Sequence, residues 1–207
     1  DLGSAEGTWL SVFGEKGVEN IRGFDGPWGN ESDLLIPEEH FTVVNLETFE
    51  APEGERFDLA MSLEVAEHLD QSDADNFVRQ LTRLSDRILF SAAIPGQGGL
   101  HHLNERPPAY WAEKFKTRGF DQLDILRPRF WDDDRIAWWY RQNFFLYERR
   151  TEGTTDCSTS EPSFEGVHFV HPDAFHEKAK ELDIDNASAR NLAKALARRA
   201  SRRFSGK

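Results

Sequence analysis

From Asp1 to about Arg150, short apolar runs of β type alternate with stretches of helical period. The runs Asn20–Phe24, Phe41–Leu46, Phe57–Leu63, Arg87–Ala93, Gln122–Arg127 and Asn143–Glu148 predict strands. Thr8–Lys16, Asp73–Leu84 and Pro108–Arg118 predict helices. In Asp73–Leu84, Phe77, Leu81 and Leu84 recur at i, i+4 and i+7, the spacing of one helical face. Gly119 follows the third helix, where a left-handed cap is expected. Strands alternating with helices build a mostly parallel sheet with helices on both faces. The opening Asp1-Leu2-Gly3 reads as the end of a strand, so a central strand is expected before Asp1.

Beyond this pattern the chain changes character. Thr151–Gly166 is rich in Thr, Ser, Glu, Gly and Pro and reads as a linker. It divides a core, residues 1–150, from a helical extension, residues 167–207. In the extension Ala174–Leu182 and Ala187–Phe204 have helical patterns, and the second carries arginines around Leu192, Leu196 and Ala200.

Composition narrows the function classes. With 16 Phe and 6 Trp among 207 residues, the chain has material for a core and is not a disordered polymer. No apolar run approaches the roughly 18 residues of a membrane span. A single cysteine, Cys157, excludes an intrachain disulfide framework and any CxxC site. The expected setting is soluble and cytoplasmic. From Asn186 onward there are 7 basic residues and no acidic ones, so the first 185 residues carry 18 basic against 37 acidic. An acidic body of this kind is unsuited to non-specific nucleic-acid binding, which neutralises phosphates. The basic tail is a solvated face or a contact for an anionic partner.

The candidate chemistry begins at the amino terminus. Asp1-Leu2-Gly3-Ser4-Ala5-Glu6-Gly7-Thr8 is a glycine turn running into the first helix. Glycines there permit positive φ and close approach of a ligand. Asp25, at the end of the run Asn20–Phe24, is placed to accept both ribose hydroxyls of an adenosine. The loop is neither GxGxxG nor a Walker loop. Alone, it describes an ordinary strand–turn–helix junction equally well.

The order of motifs adds more. Asp1-x-Gly3-x-x-x-Gly7 comes first, then Asp25, then Asn45-Leu46-Glu47. Phe57-Asp58-Leu59-x-x-Ser62-Leu63-Glu64 and Lys116-x-x-Gly119-Phe120 follow. Over about Asp1–Arg150 this order resembles the class I S-adenosylmethionine-dependent methyltransferases, in particular small bacterial methyltransferase domains. The resemblance implies a Rossmann-like α/β sheet, mostly parallel with an antiparallel last strand, and S-adenosylmethionine as cofactor. It implies that the loop of Asp1, Gly3, Ser4 and Gly7 borders the methionine part of that cofactor. Asp25 would hold the ribose, Asn45 and Leu46 would flank adenine, and Ser62, Leu63 and Glu64 would line the sulfonium end. Two positions depart from the family pattern: Ala5 replaces a usual glycine and Asn45 a common aspartate.

Glu64-Val65-Ala66-Glu67-His68 follows at the sheet's carboxyl edge. Read as the start of a helix, it puts Glu64, Glu67 and His68 on one face at i, i+3 and i+4. Two carboxylates and an imidazole so placed suit a divalent cation such as Mg²⁺ or Mn²⁺. Similar Glu-x-x-Glu-His runs hold a metal in methyltransferases of ubiquinone biosynthesis and of small-RNA 3′ ends. The latter add a distant histidine, for which His101 or His102 is available. Metal-free relatives also carry Glu-His-Leu here, with the histidine used for packing and hydrogen bonding.

The loop Ser91–Glu105 leaves a buried strand through Gly96, Gly98 and Gly99 and delivers His101, His102, Asn104 and Glu105. A histidine near neutral pH can take a proton from a hydroxyl. His102 with Asn104 and Glu105 is the preferred acceptor-side cluster, with His101 in reserve and His68 nearby as a further catalytic candidate. An ordinary surface loop is the plainer alternative. Trp131, Trp138, Trp139 and Tyr140 suit stacking on a sugar or aromatic ring, and equally a core or a homodimer face.

Together these readings predict O-methylation of a hydroxyl on a small molecule or glycan. Two other classes stay open. A nucleotide-linked oxidoreductase shares the sheet and the ribose carboxylate, though GxGxxG is missing. A non-catalytic cofactor-binding or assembly domain would keep the fold without the turnover.

Overall fold

The computed structural model describes residues 1–27, 33–151 and 169–182. They belong to two compact units, one within Asp1–Phe169 and one within Val170–Lys207. In chain order the first contains α1 (Thr8–Glu15), β1 (Gly23–Asp25), β2 (Phe41–Val43), β3 (Ala60–Leu63) and α2 (Ala74–Leu84). Then come β4 (Arg87–Ser91), α3 (Pro108–Lys116), β5 (Phe120–Leu123), α4 (Arg127–Phe130), α5 (Trp138–Asn143) and β6 (Phe145–Arg149). The second unit contributes α6 (Pro172–Leu182), which starts two residues before the predicted Ala174. The predicted linker beyond Thr151 and the predicted helix Ala187–Phe204 with its basic tail lie outside the described residues.

β1 pairs with β2 in parallel, and β3 pairs with β4 in parallel. β6 runs antiparallel between β4 and β5. Asp1–Gly3 lies between β1 and β3. The Leu2 N–H donates to the Met61 carbonyl at 2.8 Å, and the Phe24 N–H donates to the Asp1 carbonyl at 2.9 Å. The order across is β2, β1, Asp1–Gly3, β3, β4, β6, β5, with β6 alone reversed. This is the mostly parallel sheet the sequence predicts, and the opening residues sit where the carboxyl end of a central strand was expected.

Helices cover both faces. Phe77 and Leu81 of α2 and Trp111 and Phe115 of α3 pack with Ile88, Phe90 and Tyr147. The Phe115 ring stacks on Tyr147 with centroids 3.9 Å apart. Each such fully buried side chain contributes roughly 1.5–3 kcal/mol. On the other face Trp9 and Phe13 of α1, with Tyr140 of α5, pack on Met61, Leu63, Leu89 and Phe144.

Two predicted boundaries move for local reasons. α3 ends at Lys116 with Thr117 as its cap. Gly119, at φ +79°, turns the chain and Phe120 enters β5 at once, so the strand lies ahead of the predicted Gln122–Arg127. Arg127-Pro128 opens α4 instead, with proline at a position that needs no amide donor. α5, which the β-type reading of Asn143–Glu148 passed over, carries the chain into β6 two residues late. A cleft of about 1020 Å³ opens at the amino ends of β1 and β3, lined by Leu10, Ile21, Phe57 and Leu59. It faces away from the carboxyl edge, where the polar residues gather. Among the described residues no helix is long and apolar enough to cross a membrane.

Candidate active site

The glycine loop closes on Asp25. The Ala5 N–H donates to Asp25 Oδ2 at 2.7 Å and the Gly26 N–H to Oδ1 at 2.6 Å. Asp25 is buried, so these charge-assisted bonds fix the loop against β1. Gly3 has φ +89°, and a methyl group there would lie 2.4 Å from Val65 Cγ2. Glycine is therefore required at this position by its neighbour as well as by its backbone. Ala5 takes φ +45° without being glycine, a strain of about 1–2 kcal/mol. The Asp1 carboxylate and the Ser4 hydroxyl are buried and have no hydrogen-bond partner among the described residues.

The other residues assigned to the cofactor line the same edge of the sheet. Asn45 Oδ1 accepts from the Glu47 N–H at 2.9 Å, a local turn, while Leu46 packs against the main core. Ser62 is fully buried with its hydroxyl unpartnered among the described residues, and Leu63 belongs to the α1–α5 face.

After Leu63 the chain turns sharply, with Glu64 at φ +55°. Only Ala66–His68 forms a helical turn, a single 3₁₀ turn, so the predicted helical face of Glu64, Glu67 and His68 does not form. Glu64 turns elsewhere. Its Oε2 accepts from Gln97 Nε2 at 2.8 Å and its Oε1 from Asn143 Nδ2 at 3.0 Å. Burial raises its pKa although these bonds and that from Ser91 oppose the shift. Gln97 and Asn143 were not foreseen as site residues. They come from the loop after β4 and the end of α5, and their only signal was amide character beside a glycine run and a strand start.

Glu67 is the centre of the site. Its carbonyl accepts the Leu103 and Asn104 N–H groups at 2.8 and 2.9 Å, which staples the β4–α3 loop to the 3₁₀ turn. Its side chain is wholly buried, and among the described residues no side chain donates a hydrogen bond to either carboxylate oxygen. Burial, reinforced by the Glu64 charge and opposed by the Glu67 and Ala93 backbone amides, pushes its pKa up to about 8. One ligand atom from each of Glu67, His68 and His102 lies within 4.8 Å of the others. The His68 and His102 rings meet edge to face with centroids 4.9 Å apart. Burial and His102 hold His68 below its ordinary pKa, which favours the neutral imidazole.

His101, at φ +59°, points to solvent, and His102 turns inward. His102 Nδ1 lies 3.0 Å from Glu105 Oε1. Glu105 also accepts the Gly96 and Gly98 N–H groups at 2.7 and 2.6 Å. Burial works to raise the Glu105 pKa, but the His102 and backbone hydrogen bonds outweigh it and hold the group below its usual range. An ionised Glu105 can only accept, so His102 Nδ1 carries the proton and Nε2 is the free nitrogen. Asn104 is buried; its Oδ1 accepts from Arg106 Nε at 2.8 Å, and its Nδ2 has no partner among the described residues.

The tryptophan cluster is mostly interior. Trp138 is buried, and Tyr140 lies 5.4 Å from Trp9 and stacks on Phe144 at 5.3 Å. Trp139 alone of this group is exposed.

Chemically, a buried carboxylate with no side-chain donor beside two imidazoles suits a small dication. Ligands about 2.1 Å from one ion stand about 3–4 Å apart, so a cation would draw together groups that lie within 4.8 Å of one another. Glu64 stands apart from this cluster, its oxygens already engaged.

No protein-family model matches the sequence, and no curated protein does. Solved structures do match in shape. An O-methyltransferase family protein from Burkholderia thailandensis superposes with TM-score 0.52 at 14% identity, over 73% of this chain and 50% of its own. LepI in complex with SAM superposes with TM-score 0.50 at 13% identity, over 72% of this chain and 42% of its own. The chain thus spans about half the length of these two structures. The strand order, the single reversed strand and these superpositions agree: the chain has the fold of the class I S-adenosylmethionine-dependent methyltransferases.

Proposed function

We propose that this chain is an S-adenosylmethionine-dependent O-methyltransferase acting on a hydroxyl of a small molecule or glycan. In this reading Glu67, His68 and His102 hold a divalent cation on the acceptor side. One observation carries it: Glu67, fully buried at the carboxyl edge, has no side-chain hydrogen-bond donor among the described residues and two imidazoles within 4.8 Å. A buried carboxylate is costly unless it is paired or ligates a metal.

When bound, S-adenosylmethionine supplies an activated methyl group, and a dication supplies a Lewis acid that acidifies a hydroxyl. The chain's own work is placement. The glycine loop and Asp25 hold the donor, and Glu64, fixed by Gln97 and Asn143, forms the wall after β3. His102 keeps Nε2 for the acceptor side, as a ligand or as the acceptor of the hydroxyl proton. Transfer forms one O–C bond, breaks one C–S bond, and leaves S-adenosylhomocysteine and a proton.

A labelled methyl donor offered with a panel of hydroxylated acceptors tests the reading; label on an oxygen is expected, and label only on nitrogen or carbon overturns it. Cofactor binding should depend on Asp25. Loss of hydrogen bonds to a charged group costs roughly 1.5–3 kcal/mol, so Asp25→Ala should weaken S-adenosylhomocysteine binding about 10- to 150-fold by calorimetry. Unchanged affinity would remove Asp25 from the nucleotide side. EDTA-treated protein should lose activity and regain it with Mg²⁺ or Mn²⁺. Full activity in metal-free buffer would leave Glu67 and His68 with structural roles.

A further inference from the structure

The cluster depends on the direction of one imidazole, and that direction depends on a residue with no side chain. A methyl group built on Gly99 would lie 2.2 Å from His102 Nε2, 2.3 Å from Cε1 and 2.7 Å from Cδ2. All three far atoms of the ring therefore lie over the Gly99 α-carbon. The opposite corner, Nδ1, is held 3.0 Å from Glu105 Oε1. Glu105 is itself fixed by the Gly96 and Gly98 amides, one turn of the loop away. The ring is thus gripped on one side by a carboxylate and seated on the other against bare backbone.

Gly99 differs from its neighbours in why it is glycine. Gly96 and Gly98 have φ of +87° and +73°, which glycine adopts without strain. Gly99 is not in the left-handed region, so no positive φ calls for glycine there; the three atoms nearest to a methyl group all belong to the imidazole.

We propose that Gly99 is a positioning residue of the site: its missing side chain lets the His102 ring lie against the loop with Nδ1 on Glu105 and Nε2 free for the acceptor side. The consequence for cation binding rests on the reading of Glu67, His68 and His102 given above. In Gly99→Ala the far end of one side chain must move, not the backbone, so the fold survives while the ring leaves its seat.

The test has two readouts. In metal-free protein, imidazole ¹⁵N and ¹H NMR should show His102 protonated at Nδ1 and bonded to Glu105, and Gly99→Ala should lose that signature. Titration with Mn²⁺ alone should give about 10- to 100-fold weaker binding for Gly99→Ala, the usual cost of disturbing a residue that orients a ligand. Gly14→Ala, where a methyl meets open space, is the control and should bind like wild type. In a His102→Ala background, Gly99→Ala should add nothing. If Gly99→Ala keeps wild-type Mn²⁺ affinity while Glu67→Gln and His102→Ala lose it, Gly99 does not position the ring, though the cation reading stands. If Glu67→Gln and His102→Ala also bind like wild type, the cation reading falls, and the NMR signature decides Gly99 by itself. An unchanged His102 signature in Gly99→Ala overturns the proposal outright.

Discussion

His102→Ala is expected to lower methyl transfer by about 10²–10⁴-fold, the usual cost of removing a group that handles the reacting proton or orients its donor. His102 turns inward from a loop stapled to Glu67, and its Nδ1 is committed to Glu105, so one nitrogen is offered to the site in a fixed direction. Its loss removes nothing from the glycine loop or Asp25, so S-adenosylhomocysteine affinity should stay near wild type. His101→Ala, at the exposed neighbour, should leave turnover nearly unchanged. A large loss on His101→Ala with a mild one on His102→Ala would reverse their roles. Mn²⁺ titration of His102→Ala divides the remaining options: weakened binding makes it a ligand, while intact binding with lost turnover makes it the base.

The sheet was legible because its signals are local. Phe77, Leu81 and Leu84 recur at helical spacing, and α2 appears where they put it. Gly119 does take a positive φ just before β5, but α3 already stops at Lys116 with Thr117 as its cap. The single reversed strand was not written in any one segment; the resemblance supplied it, and the pairing of β6 between β4 and β5 agrees. The site was legible in membership more than in arrangement. Glu67, His68 and His102 do come together, but through a 3₁₀ turn and a stapled loop, not along the predicted helical face. Three helical positions after Glu64 presuppose helical backbone at Glu64, and a φ of +55° breaks that premise. Gln97 and Asn143 were missed because their bonds to Glu64 span 33 and 79 residues of chain. Amide side chains carry no periodicity, so nothing along the chain announces such a partnership. Asp25 shows the converse. Its position was legible, but its bond to the Ala5 amide, 20 residues away, depends on how two loops meet in space.

Glu67→Gln is expected to stabilise the metal-free protein at pH 8 and to lose that advantage as the pH falls to 5. The Glu67 pKa is about 8 in the folded chain against an ordinary 4.5, with burial as the main cause and Glu64 as the second. The folded state therefore binds this proton more tightly than the unfolded state does. Below about pH 4.5 both states hold it, and the contribution does not depend on pH. Between that value and about 8 the unfolded chain releases the proton while the folded chain keeps it, so stability falls as the pH rises. Across pH 5 to 8 the loss should be on the order of 1–3 kcal/mol, or several degrees in Tm. Glutamine keeps the shape of the neutral acid and never ionises, so its melting curves in EDTA should lack this slope. Mn²⁺ should reverse the order. The wild-type carboxylate gains a counter-charge and a ligand bond, and binding to the folded state alone raises its stability. Glutamine, with no charge to offer, gains less. If the two proteins instead show parallel pH dependence in EDTA, the Glu67 charge is already balanced within the chain. The buried carboxylate on which the cation reading rests would then be satisfied without a cation.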